Sequence, residues 1–203
     1  MLRFLVPVLA ATFFFVQPAL ADDHEDADFA QYAAFVGVSP FGGSVNLAYN
    51  FSRQNSLNVA FGGLPGGLLS MDVELDGTDY EAEGSSSWVG AFINHRPSKE
   101  SQWFRVVAGI GIGSIENELD DGNGNTFTAD YNENPVGYLG VGFGNEATKG
   151  FKIGFDIGIL ATSGPDIIQT GGMPNQAAAD DLADNMFFGN LLPNFQLTFG
   201  YGF

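Results

Sequence analysis

The stretch Phe195-Gln196-Leu197-Thr198-Phe199-Gly200-Tyr201-Gly202-Phe203, at the end of the chain, decides the fold class. Its odd positions are large and apolar, whereas its even positions are polar or glycine. A repeat of two residues predicts a β-strand with two different faces. Such a strand buries its apolar face in a soluble β-sandwich or turns that face toward lipid in a transmembrane β-barrel. This stretch by itself leaves both folds open.

The start of the chain favours the membrane. A basic opening, Met1-Leu2-Arg3, precedes an apolar run over residues 4–16, and Pro18-Ala19-Leu20-Ala21 ends in a small-x-small pattern. This order predicts a secretory signal peptide over residues 1–21, cleaved after Ala21. The apolar run is too short to span a bilayer, which requires about 20 residues. We therefore expect an exported chain that crosses a membrane only with strands.

Composition supports one domain after the signal peptide. Residues 22–30 form a charged segment without apolar periodicity, which predicts a flexible acidic arm, and residues 31–203 form the barrel domain. The chain has no cysteine, so disulfides do not hold the fold. It has 24 acidic residues against seven basic ones, and its formal net charge is −17. Anionic lipid surfaces and nucleic acid are therefore poor partners.

Alternating patterns predict eight strands joined by two kinds of connection. Short turns follow the second, fourth and sixth strands, whereas long connections cover about residues 62–78, 116–130 and 162–187. Bacterial outer-membrane barrels have short periplasmic turns and long outer loops. We predict an all-β fold, an eight-stranded antiparallel up-and-down transmembrane barrel. Residues 175–185 predict a short helix in the last outer loop.

Charge is segregated between the two ends of the predicted barrel. All basic residues after the signal peptide lie in or just after the short turns, at Arg53, Arg96, Lys99, Arg105, Lys149 and Lys152. The long connections and their margins contain Asp and Glu but no Lys or Arg. We expect a negative field at the outer end.

The last third of the chain carries a family resemblance. Residues 138–145 (YLGVGFGN), a short turn, residues 151–158 (FKIGFDIG), a helical insertion and a terminal aromatic strand resemble the small outer-membrane barrels related to the CarO-type ornithine porins. The resemblance covers mainly residues 135–203. It implies an eight-stranded barrel in the bacterial outer membrane. For activity it implies uptake of basic amino acids, although many relatives have no assigned activity.

Two charged residues are candidates for the lumen. Asp156 is predicted on the inner face, with Arg105 two strands away. They form either a gate in the lumen or a pair that neutralises itself there, because an unpaired charge is costly in that position. Inward glycines leave room for a passage or simply relieve crowding between curved strands. An eight-stranded barrel is about filled by its own side chains, so we do not expect a wide pore.

Four outer carboxylates are candidates for recruiting cations, namely Asp120, Asp121, Asp180 and Asp181. Outer acidic loops are also suited to divalent cations that bridge lipopolysaccharide. Residues 121–125 (DGNGN) begin like a calcium loop, but Thr126 and Asn132 stand where the glycine and the closing Glu are required. We therefore predict no metal site in the chain and no cofactor.

Catalysis is not expected. Acyl transfer requires a nucleophile with a base, usually histidine, within hydrogen-bond reach. The two histidines are His24, in the arm, and His95, at the periplasmic end. The predicted function is a narrow channel or binding site for small cationic solutes such as basic amino acids. The alternative is a non-conducting structural or adhesive barrel whose acidic loops bind divalent cations or a partner, and either barrel contacts outer-membrane lipid and lipopolysaccharide.

Overall fold

A computed structural model describes residues 27–131, 135–185 and 187–203. The predicted signal peptide and His24 lie outside the described residues. The described part contains eleven strands and one helix: β1 (Tyr32–Ser39), β2 (Gly42–Asn50), β3 (Asn55–Leu64), β4 (Ser70–Leu75), β5 (Thr78–His95), β6 (Phe104–Asp120), β7 (Thr126–Asp130), β8 (Val136–Gly144), β9 (Gly150–Ala161), β10 (Asp166–Gly171), α1 (Gln176–Asp184) and β11 (Leu191–Gly202).

Eight of these strands close into an antiparallel ring. Their order is β1, β2, β3, β5, β6, β8, β9 and β11. The ring closes because β11 pairs with β1, from Gly202 opposite Ala33 to Leu197 opposite Val38. The predicted eight-stranded barrel is confirmed, and the terminal stretch of the sequence forms its closing strand.

The ring turns its apolar side chains outward and its polar ones inward. The outward side chains form a continuous exposed belt that includes Val36, Leu47, Phe61, Val89, Ile110, Leu139, Ile153 and Phe199. The inward positions include buried polar and charged side chains, among them Asn46, Ser56, Asn94, Arg105, Asp156 and Thr198. This is the reverse of a water-soluble protein, so the belt faces lipid.

Short turns mark one end of the barrel, here named the inner end. They join β2 to β3, β5 to β6 and β8 to β9. Aromatic rings gather at this end, with Tyr32 and Tyr49 at 5.3 Å and Trp103 stacked on Phe143 at 5.3 Å between centroids. Aromatic girdles mark the membrane interface of barrels. The described end of the acidic arm lies here too, where the Ala30 N–H donates to a carbonyl of the β8–β9 turn at 3.1 Å.

The opposite, outer end carries an extension of the sheet that the sequence did not predict. Strands β5 and β6 extend beyond the ring, where β4 pairs with β5, β7 pairs with β6, and β10 pairs with β7. The three long connections are therefore not irregular loops, since each contains a strand. We name the arrangement β4-β5-β6-β7-β10 the outer sheet.

The predicted helix in the last connection is confirmed as α1. Asn175 caps its N-terminus, since its side chain accepts a hydrogen bond from the Ala178 N–H. The helix packs Ala178 and Leu182 against one side of the outer sheet, in a hydrophobic core that also contains Val73, Leu75, Tyr80, Ala82, Leu119, Phe127, Ala129 and Phe188. No helix among the described residues is long and apolar enough to cross a bilayer.

Candidate functional site: the lumen and the outer carboxylate face

The lumen contains a small cavity of about 130 Å³. Its lining runs from Phe41, Trp88 and Tyr131 near the outer end to Arg96 and Asn145 near the inner end. Asparagine, serine and threonine side chains supply much of the lining between them. The cavity is large enough for several water molecules, since one water requires about 10–15 Å³ measured in this way.

Arg105 and Asp156 meet inside the lumen. Strand β8 lies between their strands, β6 and β9. The Arg105 Nη2 lies 2.6 Å from Asp156 Oδ2 and 2.8 Å from Oδ1, and Nη1 donates to the Gly144 carbonyl at 2.6 Å. Both residues are buried. The two charges therefore neutralise each other on the lumen side of β8, as a buried pair must to offset its lost hydration.

Gly142, on the strand between them, provides the space for this ion pair. A Cβ atom at Gly142 would lie 2.3 Å from Asp156 Oδ1 and 2.6 Å from Arg105 Cζ. Neither ion-pair group can retreat without losing its partner. A residue with a side chain at position 142 is therefore incompatible with the ion pair as it stands.

Gly142→Ala is expected to lower the free energy of unfolding by about 1–3 kcal/mol, the usual cost of overpacking. The matched control is Gly137→Ala on the same strand, because a Cβ atom there meets only the Ala161 Cβ at 4.0 Å. Urea unfolding of the refolded protein in lipid vesicles measures both changes. Equal stability of the two variants would contradict the steric role of Gly142.

The space beside other inward glycines is also occupied by neighbouring side chains. A Cβ atom at Gly109 would lie 2.4 Å from the Phe92 ring, and one at Gly158 would lie 2.6 Å from the Tyr138 hydroxyl. At Gly154 it would lie 2.2 Å from the Asn145 amide. These glycines therefore accommodate large lumen side chains instead of leaving an open passage.

The hydrophobic core of the outer sheet lies on the lumen side of β5 and β6. Tyr80 and Ala82 alternate in phase with Trp88, which lines the cavity farther along the same strand. Tyr131 connects the two regions, because it lines the cavity and its hydroxyl donates to the Phe188 carbonyl in the core. Burial raises the pKa of Tyr131. Helix α1 and its core thus stand at the outer end of the lumen.

The opposite side of the outer sheet is covered with carboxylates. Adjacent strands place them directly opposite one another: Glu81 faces Asp72 and Asp120, and Glu83 faces Glu118. We name this surface the outer carboxylate face, formed by Asp72, Glu74, Asp79, Glu81, Glu83, Glu116, Glu118, Asp120, Asp130 and Asp166. Like charges in directly opposed positions repel, so this face destabilises the sheet unless cations screen it.

The outer carboxylate face continues the lipid-facing surface of the barrel. Glu81 and Glu83 alternate in phase with Val89 and Ile93, which belong to the exposed apolar belt of β5. The carboxylates therefore point sideways, above the belt, and not into the lumen. The alternation along β5 predicts this sideways direction of Glu81 and Glu83, once the strand is known to extend beyond the ring.

The four acidic candidates from the sequence occupy different places. Asp120 belongs to the outer carboxylate face, whereas Asp121 closes the β6–β7 turn. A hydrogen bond from the Asn125 side chain lowers the pKa of Asp121. Asp180 and Asp181 lie on α1, where Asp181 accepts from the backbone N–H of Asp76, in the β4–β5 turn, at 2.9 Å. The structure thus places the four carboxylates around the outer sheet and α1 but not in one cluster.

The carboxylates of the outer sheet do not form a metal-binding cluster. Within the part of the chain that the structure describes, no three His, Asp or Glu side chains are close enough to hold a metal ion together. The outer carboxylate face therefore offers distributed negative charge.

Burial, together with the charges of Asp121 and Asp76, raises the pKa of Tyr80 on the other side of the sheet.

One lumen residue, Arg96, was not recognised as such from the sequence. Arg96 was assigned to a short turn and Lys152 to the basic inner end, yet both are buried. Lys152 donates from Nζ to the Thr148 hydroxyl. The alternation of β9 already placed Lys152 on the inner face with Asp156. Arg96 continues the inward phase of Phe92 and Asn94, one residue beyond the end of β5.

A closed antiparallel ring of eight strands, with an apolar exterior and a polar interior, defines a small β-barrel of the outer-membrane class. Its fold is similar to that of CarO from Acinetobacter baumannii, whose crystal structure matches with a TM-score of 0.65 at 18% sequence identity, over 86% of this chain and 98% of that one. A second crystal structure, of Acinetobacter baumannii CarO2, matches with a TM-score of 0.66 at 16% identity, over 86% and 99% of the two chains.

No family model matches the sequence, and no curated protein matches it. The resemblance to CarO-type barrels is therefore confirmed for the fold. At 16–18% identity it shows the fold alone.

Proposed function

We propose that this protein is a barrel of the bacterial outer membrane that is closed along its axis and holds cations on its outer carboxylate face, beside the lipopolysaccharide. The observation that carries the proposal is the direction of the carboxylates. They continue the lipid-facing surface, whereas the lumen side of the same strands carries a hydrophobic core. A charge field that served solute passage would be expected to face the lumen.

Closure is supported at two levels of the lumen. The buried Arg105–Asp156 pair fills the space against β8 in the inner part, and the cavity beside it measures about 130 Å³. At the outer end, α1 and Phe188 pack on the lumen side of the strands. An eight-stranded barrel filled by its own side chains does not require an open passage.

Cation holding is supported by the opposed carboxylates. Repulsion within each directly opposed pair, such as Glu83 with Glu118, falls when a cation lies between or near the two carboxylates. The face lies just above the lipid-facing belt, at the level where anionic lipopolysaccharide groups stand. Cations shared between the two negative surfaces would stabilise the outer sheet and attach it to the lipid.

The test compares two triple variants with the same change in net charge. Glu81→Gln, Glu83→Gln and Glu118→Gln neutralise the outer carboxylate face, whereas Glu100→Gln, Asp180→Asn and Asp184→Asn neutralise carboxylates elsewhere. We expect Mg²⁺ or Ca²⁺ to slow hydrogen exchange in the outer sheet of the wild type and of the second variant. The first variant is expected to exchange slowly without divalent cations and to gain little from them, because its repulsion is already removed.

The measurement uses refolded protein in vesicles that contain lipopolysaccharide. Hydrogen exchange of residues 70–83 and 116–130 reports the outer sheet. If the two triple variants respond equally to divalent cations, the outer carboxylate face has no special role. The proposal would then be wrong even though the barrel is folded.

A second candidate function is a narrow channel for small cationic solutes, and the cavity in the lumen favours it. Planar-bilayer recording separates the two candidates. A channel gives discrete cation-selective steps, which fall when Asp120, Asp121, Asp180 and Asp181 are changed to Asn. A closed barrel gives no steps under any salt or voltage, which is the result we expect.

A further inference from the structure

Two consecutive leucines in the β3–β4 connection are exposed. Residues 65–69 (PGGLL) join the end of β3 to the start of β4. Leu68 is 66% exposed and Leu69 is 54% exposed. By contrast, Val73 and Leu75, on the strand that follows, are buried in the core of the outer sheet. The connection therefore presents large apolar side chains that the outer-sheet core does not cover.

The connection lies at the junction between the ring and the outer sheet. The pairing of β3 with β5 ends with Leu64 opposite Ser86. The pairing of β4 with β5 begins with Ser70 opposite Glu83. The connection thus loops out beside the segment of β5 between these two pairs.

The two glycines of the connection place it on the lipid-facing side of β5. A Cβ atom at Gly66 would lie 3.8 Å from the Ser85 Cβ. A Cβ atom at Gly67 would lie 3.6 Å from Glu83 Oε2. Ser85 and Glu83 alternate in phase with Val89, which belongs to the exposed apolar belt. The connection therefore lies outside the barrel wall and not over the lumen.

The height of the connection matches the outer boundary of the hydrocarbon. His95 ends β5 at the inner end of the barrel, and Ser85 lies ten residues before it. A strand rises about 3.3 Å per residue, so this distance is about 33 Å along β5 and about 25 Å in height at the tilt of barrel strands. The apolar band of outer-membrane barrels is about 25 Å tall. Ser85, and with it the β3–β4 connection, therefore stands where acyl chains meet headgroups.

Small residues separate the two leucines from the apolar belt. On β5 the large side chains of the belt end with Val89, which pairs with Phe61 on β3. The next outward pair is Ser87 with Gly63, which are both small. The leucines of the connection stand just beyond this pair. Acyl chains that reach them therefore extend the surface that lipid already covers.

We propose that Leu68 and Leu69 insert among the acyl chains of the outer leaflet, so that the β3–β4 connection binds lipid outside the ring. Their continuity with the lipid-facing belt identifies the partner as lipid, because burial of leucine among acyl chains removes apolar surface from water. The connection leads directly into β4, which carries Asp72 and Glu74, so its insertion fixes the outer carboxylate face beside the headgroups. Insertion depends only on the lipid-facing surface and does not require cations at the carboxylates.

Spin labels on single cysteines test this insertion in protein refolded into phospholipid vesicles in the presence of EDTA. The chain has no cysteine, so Leu68→Cys, Leu69→Cys, Val89→Cys and Met173→Cys each carry one label. Val89 is the reference for lipid. Met173 is the reference for water, because it is 83% exposed and lies in the β10–α1 connection, at the far end of the outer sheet. The readout is the ratio of label collisions with oxygen, which concentrates in lipid, to collisions with a nickel complex, which stays in water.

We expect the oxygen-to-nickel ratio at position 68, at position 69 or at both to be closer to the ratio at Val89 than to the ratio at Met173. Both leucines are exposed, so the labels replace no buried contact, and migration of the unheated protein on a gel checks that each variant is folded. The proposal is overturned if the ratios at both positions are closer to that at Met173, because both leucines then face water. Such a result would leave cation holding untouched, since EDTA removes divalent cations from the measurement.

Discussion

Changing Asp156 to Ala is expected to destabilise the barrel by about 3–5 kcal/mol, which is the usual cost of leaving one member of a buried ion pair without its partner. Arg105 would keep its hydrogen bond to the Gly144 carbonyl but lose both contacts with the carboxylate. Its charge would remain in the lumen, close to Arg96. Urea unfolding in lipid vesicles, followed by tryptophan fluorescence and by migration on a gel without heating, measures the loss.

The double variant Arg105→Met/Asp156→Leu separates pairing from burial. Replacement of a whole buried pair by apolar side chains of similar volume is often neutral or stabilising, so most of the loss should be recovered. Asp166→Ala, which removes an exposed carboxylate from the outer sheet, is the control and is expected to change stability little. A loss below about 1 kcal/mol for Asp156→Ala, near the value for an exposed pair, would contradict a tightly buried pair.

Changing Phe127 to Ala is expected to open the outer sheet while the ring stays folded. Phe127 is 1% exposed, and its ring packs edge-on against Tyr80 with 5.7 Å between centroids. Removing a buried phenylalanine side chain costs about 3–5 kcal/mol. The core that contains Phe127 belongs to the outer sheet and α1, so the loss falls on their local stability.

Hydrogen exchange and limited proteolysis measure this opening. Residues 70–75, 126–130 and 176–184 should exchange faster by about a hundred-fold to several thousand-fold, as about 3–5 kcal/mol of lost local stability implies. Migration of the unheated protein on a gel should stay that of a closed barrel. Phe187→Ala is the matched control, because this neighbouring phenylalanine is 47% exposed. Simultaneous unfolding of ring and outer sheet would show that the two are one cooperative unit.

Much of the barrel could be predicted from the sequence because its information is local. In a barrel strand each residue faces either lipid or lumen, so the alternation from Phe195 to Phe203 specifies both faces without knowledge of the neighbouring strand. Local composition likewise predicted α1, between Asn175 and Asn185. Chain order and turn length then determined the order of the ring.

The outer sheet could not be predicted because its core is assembled from distant segments. Strands β4, β7 and β10 have five or six residues each, and each contributes only a few apolar side chains, which are insufficient to identify a strand in isolation. Val73, Phe127 and Leu182 become a core only when β5 and β6 extend beyond the ring and bring the three connections together.

The sequence by itself therefore determined the barrel, its two faces and the segregation of charge between its two ends. Only the tertiary structure decided where the charges point. It turned the carboxylates of β5 and β6 to the side, since those strands keep their alternation above the lipid-facing belt. It also placed the Arg96 side chain in the lumen beside Arg105, although 8 residues separate them in the chain. Alternation is a property of one strand and can be seen in its sequence. The direction of a rim residue and the partners of a buried charge depend on strands that meet only in the closed ring.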